Sequence, residues 1–304
     1  MVDNAVYVTT VTPFDSNLGL DLNGIKSLVE HIVERGVKHI VPLGTTGEFS
    51  SLTMTEKKKV VDQTIEYAGN AEVIAGVSST VFTEIIELSK HAEDAGASSV
   101  LVIPPYYLRP SQDAMVDYFK ELLGRIDMKV WVYNNPAQTK VDLTPTTIEK
   151  LSGVEGLVGI KDARSDLLAH RSVIKTLKGK KKILGGLEEY AFHSLLLGSD
   201  GFTTSIANFL PELPLGIYSA FVNGDLVEAN RLSNLLVDYR SIMIGSEQPL
   251  MMHFAKKGLR RLGIIQSDSV RPPLTALDSQ RSKLLGDYIE TLLRNKADYA
   301  IPAK

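Results

Sequence analysis

Eight short apolar runs, rich in branched residues, recur along the 304-residue chain at positions 6–11, 39–43, 72–77, 98–103, 129–133, 157–161, 182–185 and 201–205. Runs this short are strand-sized, and without polar alternation they read as strands covered on both faces. Their spacing, mostly about 25–33 residues, is that of one strand–helix–strand unit. The segments between them switch to a 3.6-residue period. Over residues 22–35, Ile25, Leu28, Val29, Ile32 and Val33 share one face, and Gly36 is a stop signal. Over 83–95, Ile85, Ile86, Leu88, Ser89 and Ala92 do the same before Gly96. Ser111 suits an N-cap for a helix over 110–123, and Thr144-Pro145 opens another. Eight such units predict an α/β fold, a (β/α)8 TIM barrel spanning residues 1–210. The alternative, an open doubly wound sheet, favours a Gly-x-Gly-x-x-Gly turn after the first strand, and Val11-Thr12-Pro13-Phe14 is not one. Residues 211–304 show only helical patterning, at Leu226–Met243, 250–262 and 279–293, and are expected to pack on the barrel as a C-terminal appendage.

Composition narrows the chemistry. With 44% hydrophobic residues the chain can fill a large core, while a net charge of −3 and a pI near 6.1 carry no electrostatic footprint for nucleic acid. The basic clusters at 178–182 and 256–261 are expected to face solvent or to lie near helix C-termini. Absence of cysteine removes disulfides and thiolate chemistry, and the six histidines lack metal-ligand spacing, so neither a metal nor another cofactor is expected. There is no 18-residue apolar run and no basic, then apolar, leader at the start, a pattern expected of a soluble cytoplasmic protein.

A barrel of this kind works at the C-terminal ends of its strands. Read in order, those ends offer Thr12-Pro13-Phe14, Gly44-Thr45-Thr46-Gly47-Glu48, Pro105-Tyr106-Tyr107, Tyr133-Asn134-Asn135-Pro136, Lys161-Asp162, Gly186-Leu187-Glu188-Glu189 and Thr203-Thr204-Ser205. Lys161 is the most telling. Burial disfavours an ammonium and lowers its pKa, and a neutral amine attacks carbonyl carbon to form a Schiff base. The plain alternative is a strand-end lysine that snorkels to solvent or pairs with Asp162. The Gly44–Gly47 turn offers backbone N–H groups and two hydroxyls to a carboxylate, or is an ordinary turn with threonine caps. Tyr133 is either core or a phenol beside Lys161. Glu188 and Glu189 are a solvated helix start, or face the rim and accept hydrogen bonds from sugar hydroxyls.

Taken together, Thr12-Pro13-Phe14, Gly44-Thr45-Thr46-Gly47-Glu48-Phe49, Pro105-Tyr106-Tyr107, Tyr133-Asn134-x-Pro136, Gly159-Ile160-Lys161-Asp162 and Arg271-Pro272-Pro273 resemble the family of class I pyruvate-type aldolases that includes dihydrodipicolinate synthase, N-acetylneuraminate lyase and 2-keto-3-deoxygluconate aldolase. The resemblance covers nearly the whole chain. It implies that Lys161 forms the imine with pyruvate, that Thr45 and Thr46 hold the pyruvyl carboxylate, and that Tyr133 shuttles a proton. Thr45 and Tyr107 would complete the relay, with Tyr107 reaching in from a neighbouring subunit of a homotetramer.

Within the family, the synthase branch typically carries an arginine in the loop after the catalytic tyrosine, where this chain has Gln138, which cannot make a charged bidentate contact. The strand-seven segment Gly186-Leu187-Glu188-Glu189 is similar to that of the neuraminate lyases, but Ala163 replaces their threonine two residues after the lysine. Gly47-Glu48-Phe49-Ser50, Leu195-Leu196-Leu197-Gly198 and Asn208-Phe209 resemble the bacterial sugar-acid aldolases. The expected activity is therefore reversible cleavage of a 2-keto-3-deoxy sugar acid to pyruvate and an aldehyde such as glyceraldehyde. Gly186, Glu188, Glu189, Thr204 and Ser205 are the expected substrate contacts. The alternatives are the synthase reaction, a dehydratase using the same imine, and a non-catalytic keto-acid-binding protein on this scaffold.

Overall fold

The computed structural model describes residues 5–243 and 250–299. Eight parallel strands close into a barrel in sequence order: β1 (Val6–Thr9), β2 (His39–Val41), β3 (Glu72–Gly76), β4 (Ser99–Val102), β5 (Val130–Asn134), β6 (Leu157–Asp162), β7 (Lys182–Gly185) and β8 (Gly201–Thr204), with β8 pairing back onto β1. The apolar runs are strands because both faces are covered, by barrel interior on one side and helices on the other. Closure rather than an open sheet follows from the β1–β8 pairing, in the register Val6↔Phe202 to Val8↔Thr204.

Helices α1 (Leu22–Glu34), α2 (Met54–Tyr67), α3 (Phe82–Ala95), α4 (Gln112–Leu123), α5 (Pro136–Thr139), α6 (Pro145–Ser152), α7 (Leu167–Leu177) and α8 (Ala191–Leu197) fill the connections. Their starts are written in side chains. Asp21, Ser111, Thr144 and Asp166 each cap the N-terminus of the helix that follows, and Thr53 with Glu56 closes a capping box on α2. The α1 stripe buries Ile25, Leu28, Val29 and Ile32 as its periodicity predicts, and Gly36 then turns the chain at φ +89°.

Several strands end sooner than their apolar runs do. β1 stops at Thr9 because the N–H of Val11 leaves the ladder to donate to Asn208 Oδ1, and β2 stops at Val41 because Leu43 takes a left-handed conformation at φ +59°. Hydrophobicity marks what is buried, and these loop residues are buried too.

Past β8 the described chain is helical: α9 (Glu212–Val222), α10 (Leu226–Met243), α11 (Met251–Arg261) and α12 (Ser279–Arg294). Leu213, Ile217, Leu232, Leu236, Phe254, Leu259 and Ile289 belong to the same buried cluster as the strands, so the appendage continues the barrel's core. One expectation is corrected here. Lys256, in the second basic cluster, does not face solvent: it is fully buried, because Glu48 and the Ser269 carbonyl accept its protons at 2.5 and 2.8 Å. Among the described residues no helix is long and apolar enough to cross a membrane.

Candidate active site

β5 and β6 run side by side with Tyr133 directly opposite Lys161. Both side chains are buried, and the lysine Nζ lies 4.0 Å from the centre of the tyrosine ring. A cation over an aromatic face is attractive, but burial dominates here. Desolvation lowers the Lys161 pKa to about 7, only partly offset by the negative charge of Glu188. The snorkelling alternative is thereby removed, and so is the pairing with Asp162, whose side chain projects from the opposite face of the strand and bonds elsewhere. Gly159, two residues earlier, has no room for a side chain, since a Cβ there would sit 2.3 Å from the Trp131 ring.

Burial pushes Tyr133 up to about 12, opposed by hydrogen bonds with Thr45 and Asn135. The Asn135 Nδ2 donates to the phenol oxygen at 2.8 Å. That contact was not read from the sequence, although Asn135 stands two residues from Tyr133 in a quoted motif. Thr45 and Thr46 lie in a turn closed by Gly47 N–H to Gly44 O and Glu48 N–H to Thr45 O, at 3.0 and 3.1 Å. The turn itself does not consume the N–H groups of Thr45 and Thr46. Thr12 Oγ1 donates to the Gly47 carbonyl at 2.7 Å, and the Thr46 hydroxyl shares a hydrogen bond with Thr9 at 3.1 Å.

Beside Thr45, a cavity of about 290 Å³ is walled by Phe49, Tyr106, Asn135, Gln138 and Leu274. Gln138, in the segment after Tyr133, faces the same cavity as Thr45 and Asn135. Tyr106 packs edge-on against Phe49, whereas Tyr107 points away, 93% exposed at a left-handed φ of +80°. Within one chain the structure does not bring Tyr107 to Lys161.

The five residues expected to contact substrate divide. Glu188 accepts from Thr204 Oγ1, the Ser205 N–H, Ser205 Oγ and the Ile206 N–H at 2.7, 2.7, 2.5 and 3.2 Å. Glu188, Thr204 and Ser205 are therefore brought together, but with their polar atoms engaged by one another. Glu189 pairs with Arg240 at 3.0 Å, and burial raises its pKa. Gly186 packs against Ala163, so closely that a Cβ would lie 2.6 Å from that alanine's own.

A second cluster explains motif residues to which the sequence gave no role. Glu48, at φ +53°, accepts from Lys256 Nζ at 2.5 Å and from the Arg271 N–H at 2.9 Å. The Lys256 ammonium and the Arg271 guanidinium both lie over the Phe14 ring, at 4.1 and 4.3 Å. Arg271 also reaches the Leu18 and Ser51 carbonyls and forms an ion pair with Glu56. Phe14, Glu48 and Arg271 come from three separate motifs and meet here, fastening the Thr45–Thr46 turn to the C-terminal region. Among the described residues no three histidine or carboxylate side chains are grouped to hold a metal ion.

Residues 4–292 match the Dihydrodipicolinate synthetase family. The chain is 36% identical to a 4-hydroxy-tetrahydrodipicolinate synthase of Hyphomonas neptunium over 90% of its length and 93% of the relative's. It is 31% identical, over 96% and 99% of the two chains, to YagE of Escherichia coli K12, a protein provisionally named as a 2-dehydro-3-deoxy-D-gluconate aldolase. The crystal structure of a dihydrodipicolinate synthase from Acinetobacter baumannii complexed with pyruvate superposes with a TM-score of 0.88 at 31% identity, covering 98% of this chain and all of that one. A parallel barrel with a buried, near-neutral lysine against a tyrosine, matched over nearly its whole length, places this chain in the dihydrodipicolinate synthetase family, whose members are pyruvate-dependent carbon–carbon lyases.

Proposed function

We propose that the protein reversibly cleaves a 2-keto-3-deoxy sugar acid, such as 2-keto-3-deoxygluconate, to pyruvate and glyceraldehyde through an imine on Lys161. The observation that carries this reading is the Lys161 amine, buried and poised near pH 7, against Tyr133, with an uncharged Gln138 in the adjoining cavity. In the cleavage direction the neutral amine adds to the keto carbon, and the Tyr133 phenol gives its proton to the hydroxyl that leaves as water, so that a protonated imine stands beside a phenolate. Tyr133 accepts the proton of the C4 hydroxyl, the C3–C4 bond breaks, and its electron pair moves into the imine to give an enamine as the aldehyde departs. Protonation at C3 and hydrolysis then release pyruvate and restore the amine. Thr45 and Asn135 support the phenol during transfer, and Tyr107 of a second copy completes the relay within a homotetramer. Thr45 and Thr46 hold the carboxylate. Because Glu188, Thr204 and Ser205 bond to one another, they are proposed as substrate contacts only through rearranged hydroxyls, while Glu189, Arg240 and Gly186 border the same rim.

The name of the Hyphomonas relative favours a second reading, condensation of pyruvate with aspartate semialdehyde. Gln138 speaks against it, because a neutral amide holds a second carboxylate less well than a guanidinium does. Trapping with pyruvate and borohydride, followed by peptide mass spectrometry, tests the imine: a reduced pyruvyl adduct is expected on Lys161. Pyruvate release from 2-keto-3-deoxygluconate then decides the substrate. Absence of cleavage, together with turnover of aspartate semialdehyde, would replace the first reading with the second.

A further inference from the structure

We infer that Asn134 and Asp162 are positioning residues, a bolt on the outer face of the barrel that holds Tyr133 and Lys161 opposite one another. The inference rests on the reading of Lys161 and Tyr133 as the reacting pair. Side chains alternate along a strand, so the residues that follow Tyr133 and Lys161 face outward, beneath the helices. In the β5–β6 register Asn134 pairs with Asp162, one step beyond the Tyr133–Lys161 pair, and it is the last paired position. After it, the two chains part into separate loops. The Ala163 N–H, donated to the Asn134 carbonyl at 2.9 Å, is a backbone bond between them just past that position.

The outward side chains add a second constraint at this end of the pair. Asn134 Nδ2 donates to Asp162 Oδ1 at 2.9 Å, joining the strands directly. It also donates to Asp142 at 3.1 Å, and Asn134 Oδ1 accepts from the Leu143 N–H at 3.0 Å, so every polar atom of the amide is engaged. On Asp162, Arg164 Nε bonds both carboxylate oxygens at 2.8 and 2.9 Å, and His170 Nδ1 donates at 2.7 Å. Burial alone would raise the Asp162 pKa, but these hydrogen bonds and the Arg164 charge outweigh it and hold the carboxyl below its ordinary range. His170 Nε2 continues to Ser194 at 2.8 Å and Ser199 at 3.1 Å, tying β6 to the α8 layer.

The aspartate–histidine–serine order resembles a hydrolytic triad, but Ser194 is 1% exposed and its Oγ would lie 2.5 Å from a Cβ on Gly185, so no substrate reaches it. What the network does is fix two backbone positions, each adjacent to a reacting side chain. A one-residue slip between β5 and β6 would exchange inward and outward faces, and smaller shifts would move Nζ off the phenol.

The test compares two substitutions. Asn134→Leu keeps the volume and removes the bolt while leaving Asp162 with Arg164 and His170. Ser194→Ala cuts the same network at its far end and leaves the Asn134–Asp162 bond intact. Both are expected to lower the melting temperature. Only Asn134→Leu is expected to slow pyruvyl-adduct formation and kcat, by roughly 10- to 100-fold, with the KM for pyruvate within about two-fold, because misplacement near the ångström scale is costly to rate. Should Asn134→Leu fail to fold, Asp142→Ala is the milder cut: Asp142 is 53% exposed, and its loss frees one amide proton of Asn134. A fall in kcat of about three-fold is then expected. Wild-type rates in a folded Asn134 or Asp142 variant, or equal losses in Asn134→Leu and Ser194→Ala, would overturn the positioning role alone. A wild-type protein that forms no adduct would remove the reading of Lys161, and this inference with it.

Discussion

At the scale of single residues, Lys161 shows how function is held against stability. Its folded pKa of about 7 lies below the 10.5 of an exposed lysine because burial penalises the ammonium. Between those two values the unfolded chain carries a proton that the folded chain does not, so stability rises with pH across that window, and below pH 7 the whole penalty is felt. Lys161→Met keeps the side-chain volume and removes the penalty, and Glu188 keeps its four protein donors. The variant is therefore expected to form no pyruvyl adduct yet to be more stable than wild type at pH 7, by on the order of 4 kcal/mol. That advantage should shrink toward pH 10. Denaturant melts at both values check this, and a variant no more stable at pH 7 would show that the amine is not desolvated. In the wild type, adduct formation is expected to rise with pH and to level off above about pH 7, as the nucleophile becomes neutral.

At the scale of elements, the turn after β2 and helix α11 behave as one piece. Glu48 follows the Thr45–Thr46 turn, and its carboxylate is buried against Lys256. Burial outweighs the attraction of that partner and lowers Lys256 to about 8, which leaves it charged at neutral pH. Removing one member of a buried pair leaves the other uncompensated, so Lys256→Met is expected to cost about 3–5 kcal/mol. It should also raise the KM for pyruvate, because the turn loses its anchor. Adding Glu48→Leu should recover much of the stability without recovering KM. A normal KM in the single variant would separate the turn from the appendage.

Little of this cluster is visible in the sequence. The strands were legible because apolar runs at a βαβ spacing admit few folds; Lys161 and Tyr133 stood out as polar groups ending such runs, but only the family resemblance chose their reactive reading over a snorkelling lysine and a core tyrosine. Lys256 sits in a basic run that reads as solvated, and its partner lies 208 positions away in the chain. The engagement of Glu188 by Thr204, Ser205 and Ile206 was hidden for the same reason: β7 and β8 bring these groups together only once the barrel closes.

At the scale of the whole molecule, Tyr107 is the residue that a single chain leaves without a place. A large aromatic side chain 93% exposed, on a backbone at φ +80°, gains nothing from its own fold, and non-glycine residues rarely adopt that conformation unless the surroundings impose it. If Tyr107 serves the neighbour's Lys161, two inactive variants should repair one another. Lys161→Ala retains the tyrosine that its neighbour needs, and Tyr107→Ala retains the lysine. Each alone is expected to be crippled, the second by about 100-fold in kcat, the usual contribution of a proton-transfer partner. Unfolded together and refolded at equal concentrations, they should yield about half mixed pairs, each with one complete site of two, and so about a quarter of wild-type activity. Refolding each variant alone should recover nothing. Failure of the mixture, with mixed pairs confirmed by native mass spectrometry, would show that each chain completes its own site and that Tyr107 belongs to the surface.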